Sequence, residues 1–291
     1  MTGRALLVAV SLALAPVAAA PAPAPSAPDA PPTQAAAIDR CLYIPPALAE
    51  RVVFYLSFDG DTVQPEINAL GGQFSAPASA GDAAAPGSPG ARPAGVAGRG
   101  ADVGGPGGKR GVSLSGLALP LHKPLTVSLW WLLREPMRKD TGFDLVYLFG
   151  QGFIAHFVRS GPWCGLKEPA FVTQVYNWPG VSNINGIYDG PGWAEAGVWH
   201  HAAVVVAKGS QVSVYWDGVR RSDFTLKGRT LGPQDLVKGI HFGPQGAGHP
   251  MRVDEVMVLD VALDASAIRD YMAAVRHLAA AGVPVLAPAG R

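Results

Sequence analysis

What most constrains this chain is its punctuation. After residue 50 the sequence breaks into short runs rich in β-branched and aromatic residues, each closed by Gly, Pro or Asp. Arg51–Phe58, Arg110–Leu114, Leu125–Leu133, Asp144–Phe149, Phe153–Val158, Ala170–Tyr176, Trp199–Ala207, Gln211–Trp216, Ile240–Gly243 and Met251–Leu259 read as strands. Lys208-Gly-Ser210 and Asp217-Gly218 mark hairpins, the Asp-Gly pair supplying the positive φ angles of a tight turn. One segment has a strong helical period: Asp264 is a good N-cap, and Ile268, Tyr271, Met272, Val275 and Leu278 follow at spacings of three and four. Strands in succession without alternating helices exclude a doubly wound α/β fold. They predict an all-β sandwich of two antiparallel sheets with one short C-terminal capping helix.

The ends of the chain are of another kind. Arg4 precedes an apolar run from Ala5 to Ala15 and small residues around Ala18 to Ala20, the pattern of a secretory signal peptide over 1–20. The run is shorter than the ~20 apolar residues of a spanning helix. No later segment is long and apolar enough to span a bilayer, so a secreted or periplasmic protein is expected. A Pro/Ala-rich linker occupies 21–44, the sandwich 45–280 and a tail 281–291. Within the sandwich, 68–108 is almost all Gly, Ala, Pro, Ser and Asp and reads as a long flexible loop. Only 15% of residues are charged and the formal net charge is +1, which gives nucleic acid or an anionic membrane nothing to attract. Cys41 and Cys164 are the only two cysteines. Outside a reducing compartment they are expected to form a disulfide, worth roughly 4 to 5 kcal/mol for so long a loop; two unpaired thiols are the alternative.

Several stretches together resemble the laminin-G-like branch of the concanavalin A-like lectins and glucanases, a jelly roll common in secreted bacterial proteins. Gly197-Val-Trp-His-His-Ala-Ala-Val-Val-Val206 followed by Val212-Ser-Val-Tyr-Trp-Asp-Gly-Val219 is similar to the family's central hairpin pair. Val253-Asp-Glu-Val-Met-Val258 with Ala262-Leu-Asp-Ala-Ser-Ala-Ile268 resembles its last strand and closing helix. Leu56-Ser-Phe-Asp-Gly60 and Leu125-Thr-Val-Ser-Leu-Trp130 match in the same order. The segment 160–195 is longer and more aromatic than the resemblance leads one to expect, and 68–108 is enlarged.

Two constellations stand out. In the strand around Asp254 and Glu255, alternation turns at least one carboxylate towards an apolar side, and a buried carboxylate must be paired, hydrogen-bonded or bound to a cation. Asp59 and Asp61 close the first strand, which pairs with the last in such sandwiches; with Asp254 they form a hard oxygen set suited to Ca²⁺, and the resemblance implies structural calcium. The other reading is that Asp254 accepts backbone N–H groups and pairs with Arg252 or Arg110. The second constellation is Trp163, Tyr176, Asn177, Trp178, Tyr188 and Trp193 in the aromatic insertion, where rings offer faces to sugar C–H groups and amides bond hydroxyls. Here too an alternative is open, a small core beneath a long loop. His200 and His201 are adjacent on a strand, so they face opposite ways.

Catalysis finds less support. No E-x-D-x-x-E-like pattern of the sandwich glycosidases occurs, and His156, Arg159, Gln174 and Tyr176 are the one plausible set for a lyase. The expectation is therefore a non-catalytic binding module whose partner is a glycan or an envelope protein. A structural domain of the envelope is the alternative, and a polysaccharide hydrolase or lyase the minor one.

Overall fold

The structure is a computed structural model and describes residues 46–59, 63–76, 94–104, 111–136, 143–150, 153–160, 171–176, 185–188, 195–207, 211–225, 232–244 and 249–280; for 153–160, 171–176 and 185–188 only the backbone is described. A short turn of helix, α1 (Pro46–Ala49), leads into two antiparallel sheets.

The first sheet runs in the order β13 (Val219–Thr225), β12 (Gln211–Trp216), β11 (Trp199–Val206), β6 (Leu125–Leu133), β15 (Met251–Leu259), β1 (Val52–Leu56) and β2 (Ile67–Asn68). The strand β4 (Ala101–Val103) pairs with the start of β15. The second sheet runs β10 (Asn185–Tyr188), β9 (Phe171–Tyr176), β8 (Phe153–Ser160), β7 (Phe143–Gly150), β14 (Leu236–Phe242), β5 (Val112–Pro120) and β3 (Gln73–Ser75). As expected, first and last strands pair, Phe54 opposite Val258 and Leu56 opposite Val256.

Burial explains why the central strands of the first sheet are apolar at nearly every position. One face, with Phe54, Leu56, Val127, Leu129, Trp131, Val204 and Trp216, packs against Val112, Leu114, Val146, Leu148, Ile240 and Phe242 of the second sheet. The opposite face, with Tyr55, Trp130, Ala203, Val205, Tyr215 and Met257, lies under α2 (Ala265–Ala280), whose Ile268, Tyr271, Met272 and Val275 are the predicted apolar stripe. Asp264 caps this helix, its Oδ1 accepting the Ala267 N–H at 2.8 Å. The Thr126 hydroxyl donates to the Val261 carbonyl at 2.6 Å and accepts the Leu263 N–H at 3.1 Å, tying the entry of α2 to β6.

The two histidines divide as alternation requires. His200 lies against Trp131 and Trp216, and His201 against Trp130 and Tyr271 under the helix. Burial pushes His201 down to about 3, so the ring is neutral at physiological pH. Asp217, in the β12–β13 turn with φ +49°, accepts the His201 N–H at 2.8 Å and faces His200 Nδ1 at 2.7 Å. Trp130, Trp131 and Trp216 are core residues, and Trp199 is partly buried.

The expected loop 68–108 is not one loop. Its described parts contain β3 and β4, and Ala97, Ala101 and Val103 are buried. Pairing with β15 and β5 supplies the order that its composition does not announce.

Burial alone would raise the Asp217 carboxyl, but the bonds from His200 and the His201 N–H and the nearby imidazoles outweigh it and hold the group below its ordinary 3.8. A depressed folded value contributes stability that is present above the unfolded value and lost as pH falls through the folded one. Asp217→Ala is expected to lower the unfolding free energy at pH 7 by roughly 1 to 3 kcal/mol. In urea titrations that difference should shrink as pH drops below about 4; a gap of equal size at both pH values would contradict this role.

Candidate functional site

The aromatic insertion supplies structure as well as rings. β9 and β10 both lie within 160–195 and extend the second sheet beyond β8, with Tyr176 opposite Ile154 and Tyr188 opposite Phe171. Of the residues proposed for ligand binding, Tyr176 and Tyr188 therefore end these two strands, while Trp163, Asn177, Trp178 and Trp193 lie outside the described residues, as do Cys41, Cys164 and Asp61. The strands also put His156 opposite Gln174 in register, so two of the four positions considered for a lyase are backbone neighbours; Arg159 pairs with Val172 instead.

The carboxylates gather where β15 passes β1 and the turn at 94–100. Asp254 and Glu255 both have no exposed surface, and their partners Val96, Ala97 and Tyr55 all belong to the α2 side of the sheet, whereas strict alternation would turn one carboxylate to each face. The cause is a bulge: pairing of β15 with β6 slips between Asp254 and Met257, and Glu255 takes φ +48°. Asp254 Oδ2 accepts the N–H groups of Val96 and Ala97 at 2.8 and 3.3 Å, and Oδ1 accepts that of Glu255 at 2.9 Å. Asp254 is thus satisfied by backbone donors, while Arg252 pairs with Asp102 at 2.8 Å. Tyr55 donates its hydroxyl to Glu255 Oε2, and Glu255 Oε1 is buried without a hydrogen-bond partner among the described residues. Asp59 Oδ1 accepts the Arg99 N–H at 2.6 Å, and the Ser57 hydroxyl donates to Glu66 at 2.6 Å.

Burial drives the Asp254 and Glu255 carboxyls well above the ordinary range. The charges of Glu255 and Asp59 push further on Asp254; the Tyr55 bond opposes the rise of Glu255, to which Asp59 and Glu66 add. Such a cluster needs protons or a cation to be stable. Its donors are all oxygen and include one orphaned buried atom, which fits a hard cation such as Ca²⁺. Among the described residues, however, no three His, Cys, Asp or Glu side chains enclose a common point, so completing a shell would fall to groups outside them such as Asp61.

The outer face of the second sheet holds a different set, which the sequence reading missed. Along β5, Ser113 and Ser115 alternate with buried Val112 and Leu114, and along β14, His241 stands between Ile240 and Phe242 of the inter-sheet core. Ser113, His241 and Tyr147 are cross-strand neighbours. His241 Nε2 lies 3.2 Å from the Pro244 carbonyl and so carries the proton there, leaving Nδ1 to accept from the Ser113 hydroxyl. One strand position further on, the Phe149 ring lies over Gly239, where any Cβ would collide with it. Tyr147 and Phe149, both half-buried, contact each other with ring centroids 5.8 Å apart. The alternation of Ser113 and Ser115 between apolar residues was the available signal.

Comparison with known proteins agrees with this architecture. A family model described as the concanavalin A-like lectin/glucanases superfamily matches residues 106–269, more than half of the chain. The binding domain of a paraclostridial mosquitocidal protein superposes with a TM-score of 0.53 at 14% identity, over 76% of this chain and 51% of that one. Domain 4 of an extracellular arabinanase from Geobacillus stearothermophilus, solved with arabinotriose, gives 0.50 at 19% identity, over 76% and 98%. The botulinum neurotoxin DC binding domain solved with SialylT gives 0.53 at 13% identity, over 78% and 52%. The chain spans about half the length of the toxin binding domains it matches. At these identities the likeness is one of fold. No curated protein matches the sequence.

The carboxylate cluster makes its own demand on the turn that answers it. Gly98 has φ +63° and no room for a Cβ, which would strike the Asp59 carboxylate. Gly98→Ala is expected to cost at least ~1 to 2 kcal/mol from backbone strain alone, read as a lower midpoint in chemical denaturation. An unchanged midpoint would show that this turn does not hold Asp59.

Proposed function

The chain belongs to the concanavalin A-like lectin/glucanase superfamily, and from that premise we propose that it is an exported, non-catalytic module that binds glycan outside the cytoplasm. One observation carries the reading. Of the two outer faces of the sandwich, the first is covered by α2, whereas among the described residues the second carries half-buried Ser113, Tyr147 and Phe149 and is extended by the strands of the aromatic insertion. Such a surface offers rings to stack on and polar groups to bond hydroxyls, the two requirements of saccharide recognition.

The comparisons support the class of ligand without naming one for this chain. Two of the similar structures were solved with arabinotriose and with SialylT. Export rests on the apolar run Ala5–Ala15 and its flanks. Among the described residues no helix is long and apolar enough to cross a membrane. In this reading Trp163, Tyr176, Asn177, Trp178, Tyr188 and Trp193 supply the rings and amides, and a Cys41–Cys164 disulfide ties the insertion to the segment before β1.

A second reading concerns the carboxylate cluster, and the orphaned Glu255 Oε1 favours it. Asp59, Asp254 and Glu255, with Asp61, would hold a structural Ca²⁺, whose charge replaces the protons that the buried carboxyls otherwise need. The ion would steady the turn at 94–100 and the end of β1 and take no part in ligand chemistry.

Binding to a glycan array tests the first reading, with Trp178→Ala and Trp193→Ala each expected to weaken the strongest signal by roughly 1 to 3 kcal/mol while the fold persists. A protein that recognises no glycan but captures an envelope protein would move the assignment to the interaction domain. For the ion, chelator should lower the melting temperature and added Ca²⁺ should restore it; a melting curve indifferent to both removes calcium from the account.

A further inference from the structure

Beneath α2 the first sheet buries a base that its surroundings answer on one side only. His201 is 1% exposed and lies between the Trp130 ring of β6, with centroids 5.3 Å apart, and the Tyr271 ring of α2, 5.6 Å away. Its Nε2 is 3.3 Å from the Ser128 hydroxyl, and its Nδ1 is buried with no hydrogen-bond partner among the described residues. A neutral imidazole has one N–H to place and Ser128 can take it. An imidazolium has two, and a buried charge left without an acceptor is costly.

The charges around the ring divide. Asp217, in the β12–β13 turn, favours protonation, but its carboxylate already accepts the His201 backbone N–H and faces His200, which lies on the other side of the sheet. Arg276 of α2 opposes protonation; its guanidinium stands 5.2 Å over the Trp130 ring. Tyr215 of β12 belongs to the same buried cluster, and Asp254 of β15 lies beyond Trp130 in register, held by its own backbone donors. The other charged side chains of α2, Arg269, Asp270 and His277, are exposed.

We infer that α2 is an acid-released cover, which undocks from the first sheet when His201 takes up a proton and leaves the two sheets folded. The inference is independent of the glycan-binding reading and concerns the opposite face of the sandwich. Release is local because of how the helix is held. It docks through the side chains of Ile268, Tyr271, Met272 and Val275, through Arg276 on Trp130, and through a 3.4 Å bond from Arg269 to the Gly218 carbonyl. Beneath it β6, β11 and β12 are joined by their own ladders, so the helix leaves without breaking a strand pair. The Thr126 bonds to Val261 and Leu263 keep its N-terminal end tethered.

The direction follows from linkage. Buried, His201 titrates at about 3, and in water a histidine returns to 6.5. The undocked state therefore binds the proton first. Docking is at full strength above the ordinary value and weakens as pH falls towards the buried one, by about tenfold for each pH unit between them. What acid uncovers is the face of Tyr55, Trp130, Val205, Tyr215 and Met257 and the apolar stripe of the helix.

Hydrogen–deuterium exchange of the full-length chain from about pH 7.5 to about pH 4.5, corrected for the intrinsic pH dependence of amide exchange, tests this. Protection over residues 265–280 should fall by about a hundredfold across that range, while β5 and β14 change by less than about threefold. His201→Phe keeps a ring against Trp130 and Tyr271 and cannot be protonated; His201→Gln keeps a polar group beside Ser128 and is also neutral. Either variant, once its sheet protection at about pH 7.5 shows it folded, should hold α2 protection within about threefold over the whole range. Loss of protection in α2 and both sheets together would make the acid response global and overturn the cover. Unchanged α2 protection in acid, or the same loss in a folded His201 variant, would overturn the role of His201.

Discussion

A carboxylate with no exposed surface must be answered by donors, and the way this chain answers Asp254 organises the sandwich around it. Asp254 sits in β15, which pairs with β6, β1 and β4 and so joins much of the first sheet. The donors are the N–H groups of Val96, Ala97 and Glu255. Supplying them draws a glycine-rich turn against β15, and Gly95 and Gly98 are there because side chains would meet Asp254 and Asp59. The bulge that brings Glu255 to the same side sends its carboxylate to Tyr55 on β1. One buried acid thus couples the last strand, the first strand and the long connection between β3 and β4.

The two sheets share a core and differ in what lies outside it. The first is apolar on both faces because α2 covers the outer one, and Ile268, Tyr271, Met272 and Val275 would otherwise meet water. The second needs apolar residues on one face only, so alternate positions are free to carry Ser113, Ser115, Tyr147 and His241. Of these, Ser113, Ser115 and Tyr147 keep part of their surface exposed, while His241 is buried and positions the Ser113 hydroxyl.

Much of this was legible in the sequence, for identifiable reasons. Wherever a strand is apolar and β-branched, as in Leu125–Leu133 or Trp199–Val206, composition and turn residues located it, and the period of Ile268, Tyr271, Met272 and Val275 gave the helix. Ala101–Val103 and Asn185–Tyr188 have little such signal, because edge strands are ordered by pairing with neighbours that are distant in sequence. Alternation misplaced Glu255 because it assumes an unbroken strand, and a positive φ breaks the rule. Ser113 and His241 are 128 residues apart in the chain and meet only through the β5–β14 ladder. Asp254 was recognised as a buried acid, whereas the backbone donors that satisfy it come from a turn whose composition suggested motion.

The central claim is that recognition belongs to the open face of the second sheet and not to the helix-covered face of the first. Backbone amide and methyl NMR, followed during titration with the oligosaccharide that binds best, locates the contact directly. Shifts should gather at Ser75, Ser113, Tyr147, Phe149 and the strands β8 to β10, with α2 and its Arg276 unmoved. Shifts confined to α2, or to the turn at 94–100, would contradict the account.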